Sequence, residues 1–164
     1  MTQIVSAPII ERHKLAELAS RWRARGTAVI LANGCFDLIH AGHVRYLSGA
    51  KALGGAVLVA INSDAQVRKL KGEGRPIISQ DERAEIVASF RYVDAVTIFD
   101  EPTVEEIIRI VRPEFHAKGT DYTEDTVPER EIVRANGGDV RITGDAKNHS
   151  TRDIIQRILD KSRK

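Results

Sequence analysis

Two histidines flank a glycine in the segment His40-Ala41-Gly42-His43, and a helical pattern begins at about His43. A helix N-terminus carries unpaired backbone N–H groups and the positive end of the helix dipole, so it suits a phosphate group. Gly42 lets a backbone or a phosphate approach closely. The imidazoles of His40 and His43 can donate hydrogen bonds to oxygens whose negative charge grows as a phosphorus centre becomes five-coordinate. The segment therefore predicts a phosphate site with two catalytic histidines.

Two alternative roles for this segment stay open. The histidines can be ordinary surface residues, or they can join Cys35 in a metal site. The metal site is the weaker alternative because only three candidate ligands cluster and the cluster does not recur along the chain. The phosphate site is the better hypothesis.

A basic segment from Arg68 to Arg75 is a second candidate for phosphate chemistry. It holds two further cations, Lys69 and Lys71, together with two glycines, and it predicts a loop, of which the stretch from Lys71 to Pro76 is expected to be mobile. Such a loop can fold over a triphosphate and neutralise the charge that leaves with pyrophosphate. A solvated basic loop is the alternative.

The elements that must position these groups follow from hydrophobic periodicity. Residues 11–25 place apolar side chains at helical spacing and predict an amphipathic helix. Apolar runs and helical patterns then alternate, as in βα units on a parallel sheet. The predicted strands are Ala28–Leu31, Ala56–Ile61, Val93–Phe99, Glu114–Ala117 and Val140–Thr143, with helices near 43–53, 80–90, 103–111, 128–136 and 151–162. The fold class is a doubly wound, Rossmann-like α/β domain with a five-stranded parallel sheet.

Helix starts are marked by segments that match a capping box or a close variant. They are Ser63-x-x-Gln66, Ser79-x-x-Glu82, Thr103-x-x-Glu106 and Ser150-x-x-Asp153. In a doubly wound sheet, ligands collect at the carboxyl ends of the strands, near the point where the strand order reverses. Residues directly after each strand are therefore the candidates for chemistry.

The length, composition and charge of the chain exclude several classes of protein. A chain of 164 residues with 42% hydrophobic and 29% charged residues fits one globular domain. The 25 basic and 23 acidic residues are interspersed and only 5% of residues are aromatic, so no nucleic-acid partner is expected. The apolar runs fall far short of the roughly 20 residues that cross a bilayer, and no signal peptide opens the chain. We expect a cytoplasmic protein with no membrane partner.

The segment from Gly34 to His43 resembles the GxFDxxHxGH opening of the HxGH nucleotidyltransferases, in their cytidylyltransferase-like branch. Further segments between about Ile30 and Ile158 fall in that family's order, which is more specific than any one motif. They are Ala60-Ile61-Asn62-Ser63-Asp64, Arg83, Arg91-Tyr92-Val93-Asp94, Lys118-Gly119-Thr120-Asp121-Tyr122 and His149-Ser150-Thr151-Arg152. Within the family, the chain is most similar to the adenylyltransferases of bacterial ADP-heptose synthesis.

The resemblance implies a reaction between ATP and D-glycero-β-D-manno-heptose 1-phosphate. The products would be ADP-heptose, for lipopolysaccharide, and pyrophosphate, with Mg²⁺ bridging phosphate oxygens during in-line attack on the α-phosphate. In many bacteria this activity is the second half of a fused kinase–transferase, whereas this chain resembles the stand-alone form. We expect a helical extension over residues 1–26, a nucleotidyltransferase domain over residues 27–164 and a homo-oligomer.

The resemblance also assigns site residues. Lys71 joins the two histidines as a catalytic residue, ahead of Lys69. The nucleotide side comprises Gly34, Cys35, Phe36, Gly42, Arg83, Ser150, Thr151 and Arg152, and the sugar-phosphate side comprises Asp37, Asn62, Asp64, Lys118 and Asp121. Plain capping by Ser150, a solvated Arg83 and an Asp37 that holds Mg²⁺ or braces its turn stay open as alternatives.

Three histidines lie outside these assignments. His149 departs from the family pattern, and His13 and His116 lie in no motif, so none of them receives a function.

Two further functions compete with this assignment. A polyol-phosphate cytidylyltransferase shares the GxFDxxHxGH and RYVD segments, whereas a non-catalytic nucleotide sensor would keep the fold without turnover. Both histidines, the basic segment and the start of the final helix argue against the sensor. A fragment of an aminoacyl-tRNA synthetase is disfavoured because the chain lacks a second, lysine-rich signature and room for a tRNA-binding domain.

Overall fold

The computed structural model describes residues 6–146 and 150–162. Helices and strands alternate along the chain after an N-terminal helix, as predicted. They are a 3-10 turn at Arg12–Lys14, α1 (Leu15–Ala24), β1 (Val29–Gly34), α2 (Ala41–Lys51), β2 (Ala56–Asn62), α3 (Asp64–Lys71), α4 (Gln80–Ala88), β3 (Ala95–Phe99), α5 (Glu105–Val111), β4 (Phe115–Lys118), α6 (Arg130–Ala135), β5 (Asp139–Ile142) and α7 (Thr151–Ser162). Over the described ranges, no helix has the length and apolar character that a membrane span needs.

The five strands form one parallel sheet in the order β3-β2-β1-β4-β5, which confirms the predicted fold. Alternate residues of β1 point to opposite faces, so Val29 and Leu31 enter one buried cluster while Ile30 and Ala32 enter another. Helices α1, α5 and α6 cover the first cluster, and α2 and α4 cover the second. Because both faces are buried, the central strands read as continuous apolar runs.

The basic segment is helical over its first half. Ser63 accepts a hydrogen bond from the N–H of Gln66 and caps α3, whose last turn carries three of the four cations. Cations there complement the negative end of the helix dipole. The helix ends at Gly72, whose φ of 92° favours glycine. The prediction of a loop from Arg68 to Arg75 was therefore wrong up to the end of α3.

Three of the predicted helix caps are present. Ser63, Ser79 and Ser150 each accept a hydrogen bond from the backbone N–H three residues later. The cap predicted at Thr103 was wrong, because α5 follows Val104 and has no side-chain cap. Val104 is buried in the core, so packing rather than capping sets the start of this helix.

The strand order reverses beside β1, with β2 on one side and β4 on the other. In such a sheet the carboxyl ends of β1 and β4 open a crevice. Its walls are closely packed: at Gly49 of α2, a Cβ atom would lie 3.0 Å from the backbone nitrogen of Gly144, which follows β5. Helix α2 can approach the β5–α7 connection because Gly49 has no side chain.

Candidate active site

A cavity of about 1030 Å³ lies at the carboxyl ends of β1 and β4. This volume is at the upper end of the range for small-molecule sites and suits a nucleotide with a second substrate. Most of the predicted site residues line the cavity: Gly34, Cys35, Phe36, Asp37, His40, Gly42, His43, Asn62, Lys71, Lys118, Asp121, Ser150, Thr151 and Arg152. Arg83 and Asp64 are not among the lining residues. Lys69, the alternative to Lys71, does not line it either.

The two histidines stack at the start of α2, with ring centroids 3.9 Å apart. The backbone N–H of His40 donates to Nδ1 of His43 at 3.3 Å, so the proton of a neutral His43 ring is on Nε2. Burial, with a smaller effect of His40, lowers the pKa of His43 to about 4. At neutral pH, His43 is therefore an uncharged ring with one N–H to donate.

Phe36 and Tyr46 support the histidine pair. The Phe36 ring centroid lies 5.2 Å from that of His43 and 6.4 Å from that of Tyr46. Phe36 has a φ of 50°, an uncommon backbone conformation for an aromatic residue, and its ring packs where a Cβ at Gly34 would be only 3.2 Å away. The Tyr46 hydroxyl donates to a carbonyl of β4 at 2.7 Å and accepts an N–H of β1 at 3.3 Å. These two hydrogen bonds connect helix α2 to strands β1 and β4.

The carboxylate of Asp37 is engaged within the protein. Its side chain is 1% exposed, and Oδ2 accepts a hydrogen bond from Nε of Arg75 at 2.6 Å. Oδ1 accepts the N–H groups of Ile77 and Ile78 at 2.8 and 3.0 Å. These contacts favour the bracing role for Asp37, which the sequence left open, over the predicted contact with the sugar phosphate. Asp37 ties the segment after α3 to the loop after β1.

Arg83 is completely buried, which disfavours the predicted contact with the nucleotide. Its Nε donates to the carbonyl of Ile78 at 3.0 Å, and one terminal nitrogen donates to the carbonyl of Cys35. The other terminal nitrogen donates to Oδ1 of Asp64 at 2.7 Å, so Asp64 is also a bracing residue rather than a cavity residue. The buried guanidinium has no surface for a substrate, and it supports the turn that carries Cys35.

Cys35 faces Asn62 across the end of the two neighbouring strands, with Sγ 3.8 Å from Oδ1 of Asn62. Burial raises the pKa of the thiol and outweighs the opposing effect of nearby cations, Lys71 first. The thiol is therefore protonated at neutral pH, which disfavours it as a nucleophile or a metal ligand. Over the described residues, no three His, Cys, Asp or Glu side chains are grouped so that they could hold a metal ion.

Lys118 stands at the carboxyl end of β4 with its side chain 9% exposed. Its Nζ lies 3.2 Å from Oε2 of Glu129 and 5.0 Å from the centroid of the Tyr122 ring. It also donates to Oδ1 of Asn33 at 3.3 Å. Sequence reasoning missed Glu129 and Asn33 as partners. Asn33 could have been identified from the sequence, because it is a polar residue at the end of a buried strand. Glu129 lies in no motif, so the sequence gives no indication of its role.

The start of α7 closes another wall of the cavity. Ser150 caps the helix, and the Thr151 hydroxyl donates to the carbonyl of Leu38 at 3.2 Å. This contact brings the N-terminus of α7 against the segment that leads into α2, and Arg152 lines the cavity beside it. Two helix N-termini therefore face one cavity. Residues 147–149, which include His149, lie outside the described residues.

Comparisons with known proteins agree with this arrangement. A family model described as Cytidylyltransferase-like matches residues 31–157. Two similar proteins, both named Bifunctional protein HldE, come from Pelobacter propionicus and Geobacter sulfurreducens. The first is 46% identical over 153 residues, which are 93% of this chain and 31% of the relative. The second is 45% identical over 145 residues, which are 88% of this chain and 30% of the relative. The chain thus spans less than a third of the length of these relatives.

A solved structure is also similar. It is the crystal structure of the lipopolysaccharide core biosynthesis protein from Thermoplasma volcanium, with a TM-score of 0.63 and 25% sequence identity. The match covers 76% of this chain and 100% of that one. The residues that line the cavity, from Asn33 to Asp153, lie within the range that the family model matches.

Proposed function

The chain belongs to the cytidylyltransferase-like family and is a nucleotidyltransferase, and we propose that it transfers the adenylyl group of ATP to D-glycero-β-D-manno-heptose 1-phosphate. The products are ADP-heptose and pyrophosphate. The heptose assignment rests on the motifs that resemble the adenylyltransferases of ADP-heptose synthesis. The names of the similar proteins, a bifunctional HldE protein and a lipopolysaccharide core biosynthesis protein, are consistent with it.

The observation that carries the proposal is the pair of stacked histidines at the N-terminus of α2, facing the N-terminus of α7 across the cavity. Both helix ends present backbone N–H groups to an anion. An uncharged His43 with its proton on Nε2 donates to a phosphate oxygen whose charge grows during the reaction. This set of donors suits the α-phosphate of a nucleotide undergoing substitution.

The reaction needs no nucleophile from the protein. An oxygen of the sugar phosphate attacks the α-phosphorus, and the bond to the bridging oxygen of pyrophosphate breaks on the opposite side. The chain contributes position and charge: Lys71 and Arg152 line the cavity and oppose the negative charge of the phosphates. The protonated Cys35 thiol is consistent with a direct transfer without a covalent intermediate.

We propose Mg²⁺ as the cofactor, carried into the cavity by the triphosphate. Mg²⁺ keeps several water ligands and binds substrate phosphates with at most one or two carboxylates, so it does not require a protein cluster of three ligands. Asp37 does not supply such a carboxylate, because both of its oxygens are engaged by the chain. When bound, the ion would neutralise charge on the leaving pyrophosphate.

The test is a nucleotide and acceptor screen. The purified chain is incubated with Mg²⁺, each of ATP, CTP, GTP and UTP, and either heptose 1-phosphate or glycerol 3-phosphate, and pyrophosphate release is measured. We expect ATP with heptose 1-phosphate to give the highest rate. A higher rate with CTP and glycerol 3-phosphate would identify a polyol-phosphate cytidylyltransferase instead. Nucleotide binding without pyrophosphate release from any pair would favour a sensor.

A further inference from the structure

Two residues that the proposed reaction does not use meet beside the cavity. Nε2 of His116 lies 3.1 Å from Oδ1 of Asn33, and Nζ of Lys118 lies 3.3 Å from the same oxygen. His116 is fully buried on β4, whereas Asn33, at the end of β1, lines the cavity. A buried histidine therefore contacts the carboxamide oxygen of an asparagine that lines the cavity.

These contacts fix the orientation of the Asn33 carboxamide. An ammonium group can only donate hydrogen bonds, so the amide atom beside Lys118 is the oxygen. The same oxygen must accept from His116, which places the imidazole proton on Nε2. Burial, with a smaller effect of Lys118, lowers the pKa of His116 to about 3, so the ring is neutral. The other ring nitrogen, Nδ1, makes no hydrogen bond with the described residues.

The nitrogen of the same carboxamide is then left for a ligand. With Oδ1 held by two donors, Nδ2 of Asn33 has two N–H groups and forms no hydrogen bond within the described part of the chain. Asn33 lines the cavity, so these donors are available to a molecule inside it. A carboxamide held by its oxygen presents a donor in one fixed direction, which favours selective recognition.

The charges nearby suggest which substrate the donor meets. The positive charge of Lys118 is offset by Glu129, whose Oε2 is 3.2 Å away. This corner thus offers hydrogen bonds with little net charge, whereas the helix N-termini and Lys71 offer the positive potential that a triphosphate needs. The corner is therefore better matched to the uncharged hydroxyl groups of the sugar phosphate than to the triphosphate of ATP.

We propose that Asn33 donates a hydrogen bond from Nδ2 to an oxygen of the incoming sugar phosphate, and that His116 is the residue that positions it. The inference rests on the proposed function for the identity of that substrate. It adds a specificity residue and a positioning residue to the site.

Asn33→Asp tests the donor with little change of shape. The carboxylate still accepts from His116 and Lys118 but presents an oxygen, not N–H groups, to the cavity. We expect KM for heptose 1-phosphate to rise at least about tenfold while the Kd of ATP changes less than about twofold. A KM within twofold of the wild-type value, in a variant whose melting temperature is unchanged, would overturn the proposal.

A spectroscopic measurement on the wild-type chain does not depend on turnover. The resonance of the Asn33 side-chain amide is assigned in an ¹⁵N spectrum, because it is absent from the spectrum of Asn33→Asp. Its chemical shift is then followed during titration with heptose 1-phosphate, glycerol 3-phosphate, inorganic phosphate or a non-hydrolysable ATP analogue. A shift with either organic phosphate, and not with the ATP analogue, supports the proposal. A shift with inorganic phosphate assigns the accepting oxygen to the phosphate, and its absence assigns it to a sugar hydroxyl. No shift with either organic phosphate, at concentrations that move backbone resonances of the cavity, overturns the proposal.

His116 is tested as a positioning residue with two variants. His116→Phe fills the buried space without a donor, whereas His116→Gln retains an N–H donor. We expect His116→Phe to raise KM for the sugar phosphate about fivefold, His116→Gln to restore part of the loss, and His116→Phe to add nothing in an Asn33→Ala background. A purely structural role would lower the melting temperature of His116→Phe and leave KM unchanged, and that result would remove His116 from the proposal.

Failure of the proposed function gives a different result from failure of this inference. If the wild-type chain releases no pyrophosphate from ATP and heptose 1-phosphate, the proposed reaction is wrong. The amide titration still decides whether Asn33 donates to a phosphorylated polyhydroxy compound. If turnover occurs and the Asn33 amide does not respond, the reaction stands and only the role of Asn33 is lost.

Discussion

Nε of Arg75 donates to Oδ2 of Asp37 at 2.6 Å, so the loop after α3 is joined to a nearly buried carboxylate after β1. Oδ1 of Asp37 also accepts the N–H groups of Ile77 and Ile78, which makes three ties from one side chain. We therefore expect any movement over a bound nucleotide to be confined to the few residues between the end of α3 and Arg75. The basic segment consists of a helix end that carries Lys71 and a loop that is anchored.

Because of this anchoring, we expect different roles for two cations of the segment, Lys71 and Arg75. Lys71 is exposed at the end of α3 and lines the cavity, so Lys71→Ala should raise KM for ATP at least about tenfold with little change in stability. Arg75→Ala instead leaves a buried carboxylate without its partner, and we expect a loss of about 3 kcal/mol of unfolding free energy in urea titrations with a smaller effect on the reaction.

A second substitution provides the control for this contrast. Asp37→Asn in the Arg75→Ala background removes the uncompensated charge and should recover part of the lost stability. Equal stability of the Lys71→Ala and Arg75→Ala variants would contradict the anchoring role. Limited proteolysis tests the movement itself: if cleavage between Arg68 and Arg75 is equally fast with and without ATP and Mg²⁺, this segment does not close on the nucleotide.

The histidine pair should dominate turnover. We expect His40→Ala and His43→Ala each to lower kcat at least about 10²-fold, because each removes a donor to the phosphate in the transition state. His13→Ala is the matched control, since its side chain is 68% exposed and does not line the cavity. Single-turnover rates with ATP and heptose 1-phosphate provide the measurement. Near-normal rates in both cavity variants would remove these histidines from the mechanism.

The sheet could be predicted from the sequence because its strands are buried on both faces. The apolar runs Ala56–Ile61 and Val93–Phe99 lie within two residues of β2 and β3 as observed. Helix α3 was missed although its cap at Ser63 was recognised, because its eight residues include a strongly basic end that resembles a loop. A short helix of this composition is stabilised by packing of Val67 against the sheet, which periodicity alone does not reveal.

The candidate site was predicted where one segment carries the chemistry and missed where contacts cross the sheet. His40, Gly42 and His43 lie together in sequence, so their shared position at a helix start was visible. Asn33 and His116 are 83 residues apart and meet only because β1 pairs with β4. Pairing of distant strands is a property of the whole fold, and a single sequence contains no local signal for it.

Two neutral histidines, the fully buried His116 and the half-buried His43, predict a dependence of stability on pH. The pKa values of His43 and His116 in the folded chain, about 4 and about 3, lie below the value of about 6.5 expected in the unfolded chain. Below pH 6.5 the unfolded state therefore binds more protons, so stability is fully present above pH 6.5 and is lost as the pH falls toward 4. Each histidine contributes a slope of up to about 1.4 kcal/mol per pH unit.

Urea titrations between pH 7 and pH 5 measure this slope. His116→Phe should lower this slope by the contribution of one histidine, up to about 1.4 kcal/mol per pH unit, because the variant has no imidazole at this position to titrate in the unfolded chain. An unfolding free energy that is constant over this range would contradict the burial of neutral histidines beside the cavity.

Substitution of Lys118 tests which part of the cavity holds the sugar phosphate. Its ammonium group contacts Glu129 and Asn33 at the end of β4, so Lys118→Ala should raise KM for heptose 1-phosphate at least about tenfold and leave the Kd of ATP nearly unchanged. Steady-state kinetics at saturating ATP measure the first quantity, and calorimetric titration with a non-hydrolysable ATP analogue measures the second.

The same substitution leaves the carboxylate of Glu129 buried without its partner, so the loss of affinity must be distinguished from a loss of structure. Glu129→Gln provides the control, because it removes the negative charge of the pair and retains Lys118. If Lys118 contacts the sugar phosphate directly, Lys118→Ala combined with Glu129→Gln should recover stability in urea titrations without recovering KM. Recovery of both the unfolding free energy and KM in the double variant would show that Lys118 acts only through folding. If Lys118→Ala instead weakens ATP binding as much as it raises KM for heptose 1-phosphate, Lys118 belongs to the nucleotide side of the cavity.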